Sequence, residues 1–186
     1  MNIMLIGGGG REHAILRSLK KNPAVETVWT LPGNGAMESE AVCYPIGATD
    51  LDGIVAFAKA NKVDYAVVAP DDPLVLGCVD RLNELGIPCF GPKANAAIIE
   101  GSKAFSKDLM KKYGIPTAAY EIFTELDKAL EYLKTCPIPT VVKADGLALG
   151  KGVIIAQTYE EAVEAVTDMM ANAKFGKSGT TVVIEE

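Results

Sequence analysis

The chain has 186 residues and a mass of 19.7 kDa, with 49% hydrophobic and 23% charged residues. These are the proportions of a globular protein with material for a sizeable core, and they exclude a disordered or fibrous chain. A net charge of −6 and a pI near 4.9 come with no basic stripe of the kind that nucleic-acid binders carry, so no nucleic-acid partner is expected.

Met1 leads directly into Asn2–Ile6 and then glycines, without the basic start, apolar stretch or cleavage site of a secretory signal. No run has the ~18 apolar residues of a membrane helix. Cys43, Cys78, Cys89 and Cys136 are widely spaced and His13 is the sole histidine, which is not a zinc pattern. The expectation is a cytoplasmic protein with reduced cysteines and no membrane partner. Nothing in the sequence sets an oligomeric state.

Ile3–Ile6 reads as a strand running into Gly7-Gly8-Gly9-Gly10. A helix follows with Ala14, Ile15, Leu16 and Leu19 on one face. Val25–Thr30 is β-rich and is broken by Pro32-Gly33-Asn34-Gly35. Thr49-x-x-Asp52 resembles a capping box opening a helix to about Ala60, and Tyr65–Ala69 is a strand closed by Pro70. Leu74–Leu85 reads as one helix, and Cys89-Phe90 as a short strand before Gly91-Pro92. Strands alternating with helices in this way predict a doubly wound parallel sheet, Rossmann-like, over residues 1–100.

The pattern changes in the second half. Ala94–Ile99 and Ser102–Tyr113 read as helices separated at Glu100-Gly101, with Ser102 as an N-cap. Strand Ala119–Phe123, helix Thr124–Leu133, strands Thr140–Lys143 and Val153–Ala156, helix Thr158–Ala171 and strand Thr181–Glu186 follow. Two successive strands joined by a glycine loop predict a local antiparallel pair. The expected division is therefore a first domain at 1–100 and a second, α+β domain at 101–186.

Three loops have the composition for chemistry. The glycine run at 7–10 sits between strand and helix, where bare N–H groups can approach an anion. It is not a dinucleotide fingerprint, because the third glycine position falls on Glu12 or His13, and the second strand ends in Leu31-Pro32 rather than an acid. An anion cradle and a simple tight turn both remain open, as do substrate and packing roles for Arg11 and His13. The second loop, Lys143-Ala144-Asp145-Gly146-Leu147-Ala148-Leu149-Gly150-Lys151-Gly152, departs from a Walker loop: three residues separate Gly146 from Gly150, Gly152 replaces the hydroxyl residue, and a strand follows. It suits a mobile loop whose amides wrap phosphate oxygens while Lys143 and Lys151 offset their charge. A plain hairpin with solvated lysines is the alternative. The third loop, Glu100-Gly101-Ser102-Lys103-Ala104-Phe105-Ser106-Lys107, taken alone is a helix start with exposed lysines.

Taken in order, several stretches span the chain: Gly8-Gly9-Gly10-Arg11-Glu12-His13-Ala14, Pro32-Gly33-Asn34, Pro73-Leu74-Val75, Phe90-Gly91-Pro92, Glu100–Phe105, Lys143–Ala148, Gly150-Lys151-Gly152-Val153 and Val183-Ile184-Glu185-Glu186. The ordered set resembles the ATP-grasp ligases, and within them most closely the glycinamide ribonucleotide synthetases. The resemblance implies ATP-dependent joining of glycine to 5-phosphoribosylamine in purine synthesis, through an acyl phosphate, with release of ADP and phosphate. A flap would shield the acyl phosphate from water.

The resemblance also assigns roles. Lys103 and Lys143 would meet ATP phosphates, Gly146, Gly150, Lys151, Gly152 and Val153 would form the flap, and Glu185 and Glu186 would lie on the strand leading to the adenine pocket. Gly8, Gly9, Gly10, Arg11, Pro32, Gly33, Asn34 and Asp71, with Asp72 as neighbour, would help hold phosphoribosylamine. One departure is Ala69-Pro70-Asp71-Asp72, where the family usually has Gly-Pro-Glu. The family also continues beyond the adenine strand, so the Mg2+ ligands and glycine contacts are expected outside these residues. The chain is then expected to be an N-terminal fragment, inactive alone. The competing readings are another ATP-grasp ligase or carboxylase, an NAD-sensing module and a purely structural α/β domain.

Overall fold

The computed structural model describes residues 1–148, 151–172 and 174–186. Packing divides the chain into two units, Met1–Ala97 and Ile98–Glu186.

The first unit contains β1 (Asn2–Gly7), α1 (Gly10–Leu19), β2 (Thr27–Pro32), β3 (Val42–Cys43), α2 (Leu51–Ala60), β4 (Tyr65–Val68), α3 (Asp71–Val75), α4 (Cys78–Glu84) and β5 (Cys89–Phe90). α5 (Ala94–Gly101) runs across the division. The five strands are all parallel, in the order β3-β2-β1-β4-β5, which is the doubly wound sheet that the alternating pattern predicts. β1 lies at the centre and is buried on both faces. Met4 and Ile6 pack with Ile54, Val79 and Leu82, whereas Ile3 and Leu5 pack with Leu16, Val28 and Met37. A strand covered on both sides reads as an unbroken apolar run.

Three local expectations are corrected. The single helix at Leu74–Leu85 is two helices, because Gly77 adopts a left-handed conformation (φ +87°) between α3 and α4. The first of these begins earlier than expected, at Asp71, with Pro73 in its first turn, where a missing N–H costs nothing. The cap of α2 is Asp50 rather than Thr49; its carboxylate accepts from the Gly53 amide at 2.9 Å.

The second unit contains α6 (Lys103–Tyr113), β6 (Tyr120–Phe123), α7 (Leu126–Leu133), β7 (Thr140–Ala144), β8 (Val153–Ala156), α8 (Tyr159–Met170), a short 3-10 turn at Gly176–Gly179 and β9 (Val182–Glu185). Its sheet is antiparallel, in the order β6-β9-β7-β8. β7 and β8 pair from Thr140↔Ala156 to Lys143↔Val153, the antiparallel pair expected across the glycine loop. Val142, Ala144, Ala156, Val182 and Ile184 pack against Leu133, Ala162, Val166 and Met169, so one face of the sheet is closed by α7 and α8. By strand alternation, Lys143 and Glu185 lie on the other face. The break between α5 and α6 falls at Ser102, whose hydroxyl accepts from the Phe105 amide, one residue beyond the expected Glu100-Gly101. The N-cap of α7 is Glu125 instead of Thr124, and no side chain caps it.

Among the described residues, no helix is long and apolar enough to cross a membrane, and all four cysteines are free.

Candidate functional site

In the first unit, three loops leave the carboxyl ends of neighbouring parallel strands, at 7–10, 32–35 and 69–72. β1 is where the strand order reverses, the place where open α/β sheets leave a crevice. The Gly33 amide donates to the Gly7 carbonyl at 3.2 Å, and Asn34 Nδ2 donates to the Gly8 carbonyl at 2.8 Å. Asn34 Oδ1 accepts from the amides of Ala36 and Met37. Gly8 is so close to Gly33 that a Cβ would stand 2.2 Å from its carbonyl oxygen, and a Cβ on Gly7 would stand 2.9 Å from the Pro70 ring. The structure thus brings Gly8 to Gly33 and Asn34 and pairs Gly7 with Pro32, whereas a Cβ on Gly9 would meet only Glu12 and one on Gly10 nothing within 4 Å. Asp71 opens α3 next to Pro70. Arg11 is largely exposed, its Nε donating to Glu12 Oε1 at 3.2 Å.

Glu12 is one of the two residues at which the dinucleotide pattern fails, and its place in the structure is specific. It is buried, and its Oε2 accepts from the Gly9 amide at 2.6 Å. The chain's own carboxylate therefore takes the loop amide that an external anion would have used. His13 is partly buried. Its Nε2 lies 3.0 Å from Glu40 Oε1, which also accepts from Arg17 Nε and Nη2. The His13 hydrogen bond, then that of Arg17, holds the Glu40 carboxyl below the usual carboxylate range.

In the second unit, the centre is Glu185 of β9. It is 6% exposed, and its Oε2 receives Lys143 Nζ from β7 at 2.8 Å and Lys107 Nζ from α6 at 2.9 Å. Its Oε1 is buried, with no hydrogen-bond partner among the described residues. Its backbone carbonyl accepts from Thr140 Oγ1 at 2.7 Å, which fixes β9 to β7 at this point. Lys103, the first residue of α6, donates through Nζ to the carbonyls of Gly146 (3.0 Å) and Asp145 (3.3 Å). Burial pushes the Lys103 ammonium below the ordinary lysine range; Asp145 opposes this and Lys143 adds to it.

Asp145 ties these parts together. Its carboxylate accepts from Ser102 Oγ at 3.0 Å and from the Ala104 amide at 2.7 Å, and its carbonyl accepts from the Lys103 amide at 3.1 Å. The start of α6 is thus bound to the residue that follows β7, with a negative charge at the helix N-terminus. Gly146 packs against Ser178, whose hydroxyl lies 2.5 Å from where a Cβ would stand. Gly152 is buried and accepts from the Ala144 amide at 2.8 Å. Lys151 is exposed, and Val153 stands opposite Lys143 in the β7–β8 register. Glu186 is exposed, with its amide on the Ala119 carbonyl. Leu149 and Gly150 lie outside the described residues.

Lys103, Lys143 and Glu185 are therefore brought together at the root of the glycine loop; Lys151 and Glu186 have no bond to them among the described residues. The two ammonium groups fit phosphate oxygens, which accept from them, whereas the unfilled Glu185 oxygen is itself an acceptor and calls for an N–H or O–H donor. Among the described residues, no group of three or more His, Cys, Asp or Glu side chains could hold a metal ion. The sequence gives no role to Asp145 or Glu12, and its reading of Lys107 as an exposed lysine is corrected: Lys107 is buried, drawn in by its ion pair with Glu185. Only Lys107 left a signal, its position one helical turn after Lys103.

Residues 1–100 match the phosphoribosylglycinamide synthetase N domain, and residues 101–186 match the phosphoribosylglycinamide synthetase ATP-grasp (A) domain. A phosphoribosylamine–glycine ligase of Vibrio vulnificus (strain YJ016) is 51% identical over 188 aligned residues, covering 100% of this chain and 44% of the relative. The protein of the same name from Escherichia coli O6:H1 is 50% identical with the same coverage. The crystal structure of phosphoribosylamine–glycine ligase from Thermotoga maritima matches with a TM-score of 0.80 at 34% identity, over 100% of this chain and 44% of that one. The biotin carboxylase domain of a Hydrogenobacter thermophilus 2-oxoglutarate carboxylase, at 19% identity and a TM-score of 0.79 over 99% of this chain and 43% of that one, shares the fold. The chain spans 44% of the length of the curated relatives named here. With a fold of two α/β units and family matches that together run from its first residue to its last, the chain belongs to the phosphoribosylglycinamide synthetase family.

Proposed function

We propose that this chain carries the phosphoribosylamine-facing unit and the first part of the ATP site of a phosphoribosylamine–glycine ligase. The observation that carries the reading is the convergence of Lys103, Lys143 and buried Glu185 at the root of the glycine loop. The identity of about half to ligases of that name along the entire chain supports it.

In this reading Lys103 and Lys143 bind the phosphates of ATP, and the segment from Gly146 through Gly150, Lys151 and Gly152 to Val153 covers them. Glu185 and Glu186 lie beside the base. The loops at 8–11, 32–34 and 71 hold phosphoribosylamine in the first unit. The glycine carboxylate attacks the γ-phosphorus and ADP leaves. The amine of phosphoribosylamine then attacks the acyl carbon, and the C–O bond to phosphate breaks. A free carboxylate is a poor electrophile, so the phosphate is needed as leaving group, and ammonium groups near the transferred phosphoryl stabilise the charge that shifts during both steps. Mg2+ would supply charge neutralisation at the phosphates, and among the described residues no cluster of three or more His, Cys, Asp or Glu side chains would hold it. The cytoplasm is the proposed compartment. The 186 residues by themselves are proposed to bind ligands without turnover.

The test is ATP affinity in the longest natural polypeptide carrying this sequence. Lys103→Met combined with Lys143→Met is expected to weaken ATP binding by about a hundred-fold or more. Unchanged affinity would overturn the reading. ADP production by the isolated 186 residues, dependent on both glycine and phosphoribosylamine, would overturn the proposed lack of turnover.

A further inference from the structure

Glu185 is shared by two lysines, and only Lys143 has a place in the nucleotide reading. We propose that Lys107 is a positioning residue for nucleotide binding: it holds the Glu185 carboxylate so that Lys143 can leave that carboxylate for a phosphate. The inference rests on the reading of the Lys103–Lys143 cluster as an ATP site.

The two lysines differ in freedom. Lys107 is 8% exposed and fixed from three sides. Its Nζ lies 2.9 Å from Glu185 Oε2, 2.7 Å from Thr117 Oγ1 and 5.4 Å from the centre of the Tyr120 ring. Lys143 lies 2.8 Å from the same Glu185 oxygen, its side chain is a quarter exposed, and Glu185 is its ion-pair partner among the described residues. Lys103 occupies carbonyls of the glycine loop instead. Of the two ammonium groups on Glu185, Lys143 is thus the one able to turn toward an incoming anion.

Its departure alone would strip a buried carboxylate of its counter-charge, and a lone charge in a protein interior is among the most destabilising arrangements known. Lys107 removes that obstacle, because it remains on Oε2 whether or not Lys143 does. Thr117 takes a second ammonium proton and the Tyr120 ring faces the charge, so Lys107 is held in place by groups other than Glu185 and Lys143. The role is electrostatic compensation, exercised through Glu185.

The experiment measures ATP affinity by titration calorimetry in the longest natural polypeptide carrying this sequence. The proteins compared are the parent, Lys107→Met, Glu185→Gln and the double variant, each with its unfolding midpoint. Lys107→Met is expected to weaken ATP binding by about ten-fold or more. Adding Glu185→Gln is expected to restore the affinity to that of Glu185→Gln alone, since no carboxylate then needs a partner. A purely structural role would not give that recovery. If Lys107→Met binds ATP as the parent does, or the double variant stays as weak as Lys107→Met, the inference fails while the ATP reading stands. If the parent binds no ATP, both fail.

Amine acylation of the parent is a second measurement that needs no folded variant. ATP is expected to protect Lys143, while Lys107 stays unlabelled with and without ATP. Labelling of Lys107 on ATP addition, or Lys143 labelling indifferent to ATP, overturns the inference.

Discussion

Lys103 gives the proposed site a pH signature. Burial lowers its proton affinity, and phosphate oxygens prefer its ammonium form, so ATP binding raises that affinity again. ATP affinity is therefore expected to be complete below the depressed Lys103 value and to fall as pH rises through it, with proton uptake on binding in that window. Calorimetry in two buffers of different ionisation enthalpy checks this; affinity that climbs with pH there contradicts it. The thiols give a second test. Burial pushes Cys78 up to about 12 and Cys89 up to about 11, so neither is expected to react with iodoacetamide at pH 8 before unfolding. At this scale the sequence was legible where one residue type implies a chemistry: Lys103, Lys143 and the glycines were singled out from composition and resemblance. Glu12 and Lys107 were not, because a carboxylate on its own loop amide and a buried ion pair depend on which side chains meet in space.

The elements make their own prediction through Asp145. One carboxylate accepts from both Ser102 and the Ala104 amide, so α6 begins where β7 ends. Asp145→Ala is expected to cost about 1–2 kcal/mol, read as a lower urea midpoint, and to weaken ATP binding because Lys103 is the first residue of the loosened helix. Wild-type stability in that variant would mean that Ser102 caps the helix unaided. The strand–helix alternation and the parallel sheet were readable from apolar periodicity, the local β7–β8 antiparallel pair from the glycine loop between them, and the β8 bounds were matched at both ends. What escaped was short or conformational. A two-residue edge strand at Val42–Cys43 has no period to read, and the break at Gly77 needed a backbone angle rather than a pattern.

At the scale of the molecule, each unit has its own packed interior: Leu82 sits in the first and Ile184 in the second, both almost wholly buried. Leu82→Ala and Ile184→Ala are each expected to cost about 2–5 kcal/mol, with hydrogen exchange rising first in the unit that carries the change. Equal acceleration in both units would show that they unfold as one. The single-residue alternation of β7 has a longer reach. Val142 and Ala144 point to the helices and Lys143 to the opposite side. One residue inserted ahead of Val142 would exchange the sides, driving the Lys143 ammonium into the apolar layer and turning Val142 outward. Length drift in this strand is thereby restricted to steps of two, so the interior and the charged cluster police the same stretch of chain, and neither can be re-spaced without the other.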